Sequence, residues 1–411
     1  MHHVIIGAGP AGVRAAEALR KYAPQDAITL VSGEPGAPYA RMAIPYILSG
    51  RITEQGARQR KTPGHFEALR IDYRNNRALK VEAGDQGGRV TLDDGSSLAY
   101  DRLLVATGSS PALPPIPGTD LPGVVSCWTL DDARLISERI KPGARVVLLG
   151  AGFVAGVCIK ALLERQVQLS VIAGRAGQIL RTMMTPTGSQ LLQRWLELKG
   201  VNVITQGRTE RIEPGPRLVM DNQTLDADLI ILATGVRPNV GFLEGTGAEI
   251  DQGILVDDHL RTGVAQIYAA GDVAQGRDFC TGEWVVHALQ PTATEHGRVA
   301  AMNMAGIDQP YRGSLSMNVL DTAGLISHTF GVWQGRDGGD TVESLDAEHF
   351  RYTRLCFDGD RLIGAITIGQ PQHVGAIRGL IQSRRALGPW KARLLDNPQQ
   401  LMQALVDLNA G

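Results

Sequence analysis

The sequence predicts an α/β protein built on two units of parallel sheet, with a smaller α+β region at the C-terminal end. Three observations predict it. Two glycine-patterned turns, Gly7-Ala8-Gly9-Pro10-Ala11-Gly12 and Gly150-Ala151-Gly152-Phe153-Val154-Ala155, each follow a short apolar run and open a helical pattern. Two further stretches match each other, Leu103-Leu104-Val105-Ala106-Thr107-Gly108 and Leu229-Ile230-Ile231-Leu232-Ala233-Thr234-Gly235. From Tyr311 onward the composition shifts to short strands and turns.

The bulk composition is compatible with this plan and excludes several others. A chain of 411 residues has room for two or three domains with large cores. Hydrophobic residues at 43% and charged residues at 20% are ordinary for a soluble globular protein. With 41 basic and 42 acidic side chains, charge gives no pull toward nucleic acid or an anionic membrane. The 49 glycines exceed average usage and imply many tight turns and close backbone approaches. No apolar run reaches the ~20 residues of a membrane span. A strand begins almost at once, at His3-Val4-Ile5-Ile6, which leaves no room for a secretory signal and points to the cytoplasm. Cys127, Cys158, Cys280 and Cys356 are far apart in sequence, with no CxxC and no metal-ligand spacing; they read as scattered thiols in a reducing compartment.

In chain order, the first turn carries Gly7, Gly9 and Gly12 in GxGxxG spacing between a strand and a helical pattern over 11–22. Ala27-Ile28-Thr29-Leu30-Val31 then completes a βαβ unit of about thirty residues, the context in which the motif signifies dinucleotide binding. Gly7 permits the turn, Gly9 the approach to a pyrophosphate, and Gly12 the packing of helix on strand. Glu34 follows roughly twenty residues on, where a carboxylate accepts hydrogen bonds from ribose hydroxyls. The second unit repeats the scheme: strand 146–149, the turn Gly150-x-Gly152-x-x-Ala155, a helix over 153–164, and strand 169–172. Each Ala-Thr-Gly stretch reads as a buried parallel strand ending in a small-residue turn. In Ile267-Tyr268-Ala269-Ala270-Gly271-Asp272, a strand ends at Gly271 and Asp272 projects from its C-terminal end, where ligands collect in open α/β sheets. A carboxylate there binds ribityl hydroxyls or caps the following turn.

Taken in this order and spacing, the motifs resemble the FAD-dependent pyridine nucleotide–disulfide oxidoreductase superfamily. Glu34-Pro35-Gly36-Ala37-Pro38-Tyr39-Ala40-Arg41 is similar to the EPxxPYxR stretch of the rubredoxin and ferredoxin reductase branch, which includes the flavin domain of assimilatory nitrite reductases. The overall pattern also resembles, more generally, the NADH-handling flavoprotein subunits of phenylglyoxylate dehydrogenase complexes. The resemblance implies two Rossmann-like dinucleotide-binding domains, one inserted in the other: an FAD domain at 1–118 and 243–310, and an NAD(P) domain at 119–242. A C-terminal α+β interface domain would occupy 311–411. It implies that Gly7, Gly9 and Gly12 hold the FAD pyrophosphate, with Glu34, to within one residue, on the ribose. Arg41 would lie near the FAD phosphates or the flavin, Thr107 and Gly108 at the cofactor, and Asp272 on the ribityl chain. A helix beginning within 287–293, with Pro291, Thr292 and Ala293 in its first turn, would aim its positive end at the flavin O2 edge. Gly150, Gly152, Ala155, Arg175 and Gly235 would serve NAD(H) or NADP(H).

The departures from the pattern are as informative. Where disulfide reductases carry a redox cysteine, this chain reads Arg41-Met42-Ala43-Ile44-Pro45-Tyr46, and Met42 supplies no thiolate. His373 lacks the Glu of the HxxxxE acid–base pair and reads as a surface or interface histidine. The lysine that some members place near flavin N5 is also absent; Tyr46 stands there, as a ring neighbour or a packed aromatic. Family members read GxGxxGxE at the second turn, whereas here the acidic position is Val157. At the end of the next strand, Ala173-Gly174-Arg175 replaces the acid that binds the 2′-hydroxyl of NAD, which fits NADP on charge grounds or a weakened site.

In the C-terminal region, Phe357-Asp358-Gly359-Asp360-Arg361 reads as a hairpin turn, and 374–383 as a helix. The cluster Arg384-Arg385-Ala386-Leu387-Gly388-Pro389-Trp390-Lys391 reads either as a docking patch for an acidic iron–sulfur protein or as a solvated helix end. The expected function is an FAD-dependent oxidoreductase passing electrons between a nicotinamide nucleotide and an iron–sulfur or other redox protein, either free-standing or as the flavoprotein subunit of a larger complex. The alternatives are an FAD relay or structural subunit without a working nicotinamide site, and an NADH oxidase or peroxidase handicapped by Met42. No metal site, nucleic acid or membrane span is expected.

Overall fold

The computed structural model describes residues 1–174 and 177–410. The chain divides into two compact units. The first comprises Met1–Ala40, Gln55–Ser110 and Val236–Leu315; the second comprises Arg41–Glu54, Pro111–Gly235 and Ser316–Gly411.

In the first unit a five-stranded sheet runs Ile267–Ala269, Arg102–Val105, His2–Ile6, Ala27–Val31, Asp72–Arg74. Every pairing is parallel, with Ile5 opposite Leu30 on one side and Leu104 on the other. A parallel sheet is covered on both faces, so its strands are apolar throughout rather than alternating. Accordingly Val4, Ile5, Leu30, Leu103 and Leu104 are all 0% exposed. The helix Pro10–Tyr22 crosses between the first two strands, begun by a proline in its first turn, where no intrahelical N–H is lost, and closed by Arg20 and Lys21 at its negative end. A three-stranded antiparallel meander, Ala78–Gly84, Gly87–Leu92 and Ser97–Tyr100, precedes the strand Arg102–Val105.

The second unit repeats this order. Its parallel sheet runs Asn202–Ile204, Gln168–Ile172, Arg145–Leu149, Leu229–Leu232, Val124–Ser126. It too has a three-stranded meander, Thr209–Glu213, Arg217–Met220 and Thr224–Asp226, just before its Ala-Thr-Gly strand. The helix Leu130–Arg139 starts on a capping box in which Thr129 and Asp132 satisfy each other's backbone N–H groups.

The same unit contains a five-stranded antiparallel sheet, Met317–Thr322, Leu325–Gly331, Arg361–Ile368, Arg351–Asp358, Asp340–Asp346. The expected hairpin is present, with Asp358 paired to Arg361 across Gly359 and Asp360. The expected helix is Val374–Ser383. This sheet is tied to the inserted parallel-sheet region by Thr185 Oγ1 to Tyr352 OH at 2.8 Å, Thr329 Oγ1 to the Met183 carbonyl at 3.0 Å, and Trp195 Nε1 to the Thr322 carbonyl at 3.1 Å. Trp390 is only 8% exposed and lies beside Arg393, while Lys391 pairs with Asp340 at 2.7 Å. The docking patch read at 384–391 therefore lacks its aromatic: Trp390 is a core residue. Among the described residues no helix is long and apolar enough to cross a membrane.

Candidate functional site

Each glycine turn is fixed by the strand that follows it in space. Gly7 donates to the Val31 carbonyl at 2.8 Å, and Ala106 donates to the Ile6 carbonyl at 2.7 Å. At φ +108° a Cβ on Gly7 would stand 2.1 Å from the Ala106 carbonyl oxygen, so only glycine fits. The second turn reproduces each element: Gly150 to the Ile172 carbonyl at 3.0 Å, Ala233 to the Leu149 carbonyl at 2.8 Å, and a Cβ on Gly150 2.2 Å from the Ala233 oxygen. The two turn-and-strand pairs are thus one construction used twice.

The middle glycines differ in kind from the first ones. A Cβ on Gly9 or on Gly152 would meet nothing within 4 Å, so each faces open space at the N-terminus of its helix. The first-turn N–H groups of Pro10–Tyr22 and Phe153–Glu164 have no intrahelical carbonyls to bind, the arrangement that receives a pyrophosphate. Both cradles therefore fit a dinucleotide. The third positions diverge. A Cβ on Gly12 would lie 1.8 Å from the Gly7 carbonyl oxygen, whereas Ala155 carries its methyl fully buried.

A knot of small residues joins the first turn to the other predicted positions. A Cβ on Gly271, whose φ is +77°, would touch the methyls of Ala11 and Ala293 at 3.2 and 3.3 Å. One on Gly297 would fall 2.2 Å from the Ala11 carbonyl oxygen. The first helix, the turn bearing Asp272 and the N-terminus of the helix Gln290–Met304 consequently converge. Pro291 occupies the first turn of that helix, with Thr292 and Ala293 buried behind it. Asp272 Oδ2 receives the Ser109 hydroxyl at 3.4 Å. Glu34 lies past the end of strand Ala27–Val31, its Oε2 accepting from the Tyr39 hydroxyl at 2.5 Å.

Beneath the knot, the Gly271 N–H donates to His296 Nδ1 at 3.3 Å, which leaves the proton on Nε2, 3.3 Å from Ser314 Oγ. Burial, helped by the charge of His287, pushes the His296 pKa down to about 3. His287 Nε2 in turn lies 2.9 Å from Asp278 Oδ2. Burial opposes ionisation of Asp278, but His287 and the N–H groups of Thr281 and Cys280 outweigh it and hold the carboxyl below its ordinary range.

The two Ala-Thr-Gly turns handle the chain crossovers. Thr107 Oγ1 donates to the Asn239 carbonyl at 2.8 Å, the Asn239 side-chain amide returns a bond to the Thr107 carbonyl at 3.0 Å, and the Asn239 N–H donates to the Gly108 carbonyl at 2.9 Å. In the second unit Thr234 Oγ1 donates to the Ala112 carbonyl at 2.6 Å, and the Ala112 N–H to Gly235 at 2.9 Å. Gly108 and Gly235 both take positive φ, +63° and +113°. Asn239 went unread in the sequence, although it directly follows Gly235-Val236-Arg237-Pro238 and a polar residue closing such a turn is a signal.

The structure thus brings Gly7, Gly9, Gly12, Glu34, Thr107, Gly108, Asp272, Pro291, Thr292 and Ala293 into the first unit, and Gly150, Gly152, Ala155 and Gly235 into the second. Arg41 belongs to the second unit, where it donates to the Trp128 carbonyl at 2.8 Å and lies over the Trp128 ring. Arg175 and the side chain of His373 lie outside the described residues. Tyr46 is 51% exposed, which removes the packed-aromatic reading, and Met42 is 47% exposed. Cys127 and Cys158, far apart in sequence, meet with their sulfurs 3.4 Å apart.

The family model described as pyridine nucleotide-disulphide oxidoreductase matches residues 1–297. The chain is 33% identical over 403 residues to the NADH-dependent phenylglyoxylate dehydrogenase subunit epsilon of Aromatoleum evansii, covering 96% of this chain and 95% of that one. It is 27% identical over 385 residues to the rubredoxin-NAD(+) reductase of Pseudomonas putida, covering 92% and 98%. In fold it matches the crystal structure of a covalent putidaredoxin reductase–putidaredoxin complex with a TM-score of 0.90, at 23% identity and with 100% and 99% of the two chains covered. The two cradles and these likenesses lead to one conclusion: the chain belongs to the pyridine nucleotide-disulphide oxidoreductase family and is an oxidoreductase that uses FAD and a nicotinamide nucleotide.

Proposed function

We propose that this chain is the reductase subunit of a larger oxidoreductase complex, moving electrons between NAD(P)H and an iron–sulfur partner protein in the cytoplasm. The observation that carries the reading is the duplication of the cradle. Gly9 and Gly152 each border open space at a helix N-terminus, each set against its own Ala-Thr-Gly strand, so the chain has a seat for two dinucleotides. End-to-end likeness to the phenylglyoxylate dehydrogenase subunit of Aromatoleum evansii supports the role within a complex, and likeness to the rubredoxin reductase supports a protein carrier as electron partner.

In this reading FAD takes the domain at 1–118 and 243–310, the nicotinamide nucleotide takes 119–242, and 311–411 is the interface domain. Bound FAD supplies the capacity to accept a hydride and to release electrons singly. The chain's own residues bind and orient it. Gly7, Gly9 and Gly12 admit the pyrophosphate, Glu34 receives a ribose hydroxyl, Thr107 and Gly108 shape the turn beside it, and Asp272 holds the ribityl chain. Pro291, Thr292 and Ala293 turn the positive end of their helix toward the flavin. Gly150, Gly152, Ala155 and Gly235 form the nicotinamide nucleotide's cradle, and Arg175 selects a 2′-phosphate.

The test is anaerobic titration of the flavin-loaded protein with NADH and, separately, NADPH, following the flavin absorption band. Bleaching by either supports a working second cradle, and a preference for NADPH supports the role of Arg175. A flavin that neither nucleotide bleaches, in the presence of copurifying partner subunits, would leave only the relay reading, in which the second turn is a structural copy.

A further inference from the structure

We propose that Cys127 and Cys158 are a redox-modification site, closing to a reversible disulfide when the protein meets a two-electron oxidant of the peroxide class. The pair lies within the second unit. Cys158 is on the helix Phe153–Glu164, which the second glycine turn opens, and Cys127 directly follows the strand Val124–Ser126 at the edge of the parallel sheet. Their sulfurs are 3.4 Å apart, and the residues are 7% and 1% exposed. A disulfide needs about 2.05 Å between sulfurs, so closure asks for a movement of roughly 1.4 Å, within reach of side-chain rotation and a small helix shift. Cys356 has a different environment, its thiol donating to the Trp333 carbonyl at 3.1 Å.

The chemistry balances with the peroxide alone. The sulfur of Cys127, the less buried residue of the pair, attacks one peroxide oxygen; the O–O bond breaks, and the departing hydroxide leaves as water with the thiol proton. The Cys158 sulfur then attacks the resulting sulfenic acid, the S–O bond breaks, and a second water leaves with the Cys158 proton. Two thiols lose two electrons and one peroxide becomes two waters. The Cys158 thiol beside it, together with burial, pushes the Cys127 thiol well above its usual range, so the first step is slow and speeds up as pH rises. The second step is fast because the resolving sulfur is already in contact, and it protects the site from irreversible oxidation.

The consequence for binding rests on the reading that the second turn seats the nicotinamide nucleotide. Drawing Cys158 toward Cys127 pulls on the helix whose N-terminus forms that cradle, and displacements near 1 Å in positioning elements are costly, so the KM for the nucleotide rises by about tenfold or more.

The flavin-loaded protein is treated with hydrogen peroxide, its remaining thiols are alkylated, and its mass and peptides are read with and without dithiothreitol. The expected product lacks two hydrogens, contains one linked pair of peptides bearing Cys127 and Cys158, and reverts with dithiothreitol together with the KM. Cys127→Ser and Cys158→Ser each abolish the link and accumulate sulfinic acid on the cysteine that remains; Cys158→Ala serves if a serine is not tolerated in the core. Sulfinic acid in the wild type, or a link through Cys280 or Cys356, overturns the proposal. A clean link with an unchanged KM overturns its coupling to the nucleotide. Failure of the nucleotide to bleach the reduced, unlinked protein sinks the functional reading and leaves the disulfide standing.

Discussion

Replacing Gly9 with alanine separates two roles that glycine motifs usually confound. At Gly9 the backbone is in the ordinary extended region, φ −76°, and an added methyl meets nothing within 4 Å. The apoprotein should therefore unfold within about 0.5 kcal/mol of wild type, as for other changes that touch nothing. The added methyl projects into the proposed pyrophosphate seat and prevents at least one charge-assisted N–H contact, a loss of about 1.5–3 kcal/mol or roughly 10- to 150-fold in FAD affinity. Gly7→Ala has the opposite profile. It forces an L residue to φ +108°, which costs about 1–2 kcal/mol, and drives a methyl to 2.1 Å from the Ala106 carbonyl oxygen, for a total of about 3 kcal/mol or more. Deflavinated protein would be reconstituted with FAD and followed by quenching of flavin fluorescence, and the apoproteins unfolded in urea. The reasoning fails if Gly9→Ala binds FAD normally, or if it destabilises the apoprotein as much as Gly7→Ala does.

Three other outcomes follow from the geometry. His296 is neutral when folded but protonates below pH 6.5 when unfolded, so its contribution is complete above pH 6.5 and drains away as pH falls toward 3. Between pH 6.5 and 4.5 the wild type should lose about 2–3 kcal/mol more than His296→Gln, read from urea midpoints; parallel losses would show that the ring is not held neutral. Asn239→Ala removes the side-chain amide bonded to the Thr107 carbonyl and the carboxamide oxygen that receives the Ser110 hydroxyl, and should cost about 1–3 kcal/mol in thermal unfolding of the apoprotein. Trp390→Ala should cost about 3–5 kcal/mol and leave the affinity for an iron–sulfur partner unchanged; loss of partner binding with intact stability would restore the docking reading.

What the sequence made legible depended on burial. The strands Ala27–Val31 and Leu229–Leu232 and the helix Phe153–Glu164 lie where their residues place them, because parallel strands covered on both faces leave unbroken apolar runs and the turns between them need glycine. The meanders were not legible. In Ala78–Gly84 only Val81 is buried, so the segment carries almost no period to read. Trp390 sits in a basic stretch that imitates a docking surface, and only the tertiary packing shows its ring to be core. The meeting of Cys127 and Cys158, like the clasp of Thr107 on Asn239, joins residues whose neighbourhood is set by the sheet order and by no local pattern.

The chain passes between its two units at 40/41, 54/55, 110/111, 235/236 and 315/316. During synthesis, therefore, the first glycine turn emerges early, but the edge strand Ile267–Ala269 and the helix Gln290–Met304 that complete its surroundings emerge long after. At ordinary translation rates that interval is on the order of tens of seconds. For that time the apolar face of Pro10–Tyr22 has no partner helix, and a cofactor arriving early finds half a seat. Assembly of the proposed flavin site is in this sense a late event on the ribosome. A chain truncated between Gly235 and Ile267 would hold every strand of the second parallel sheet but lack the edge strand and the helix that complete the surroundings of the first turn.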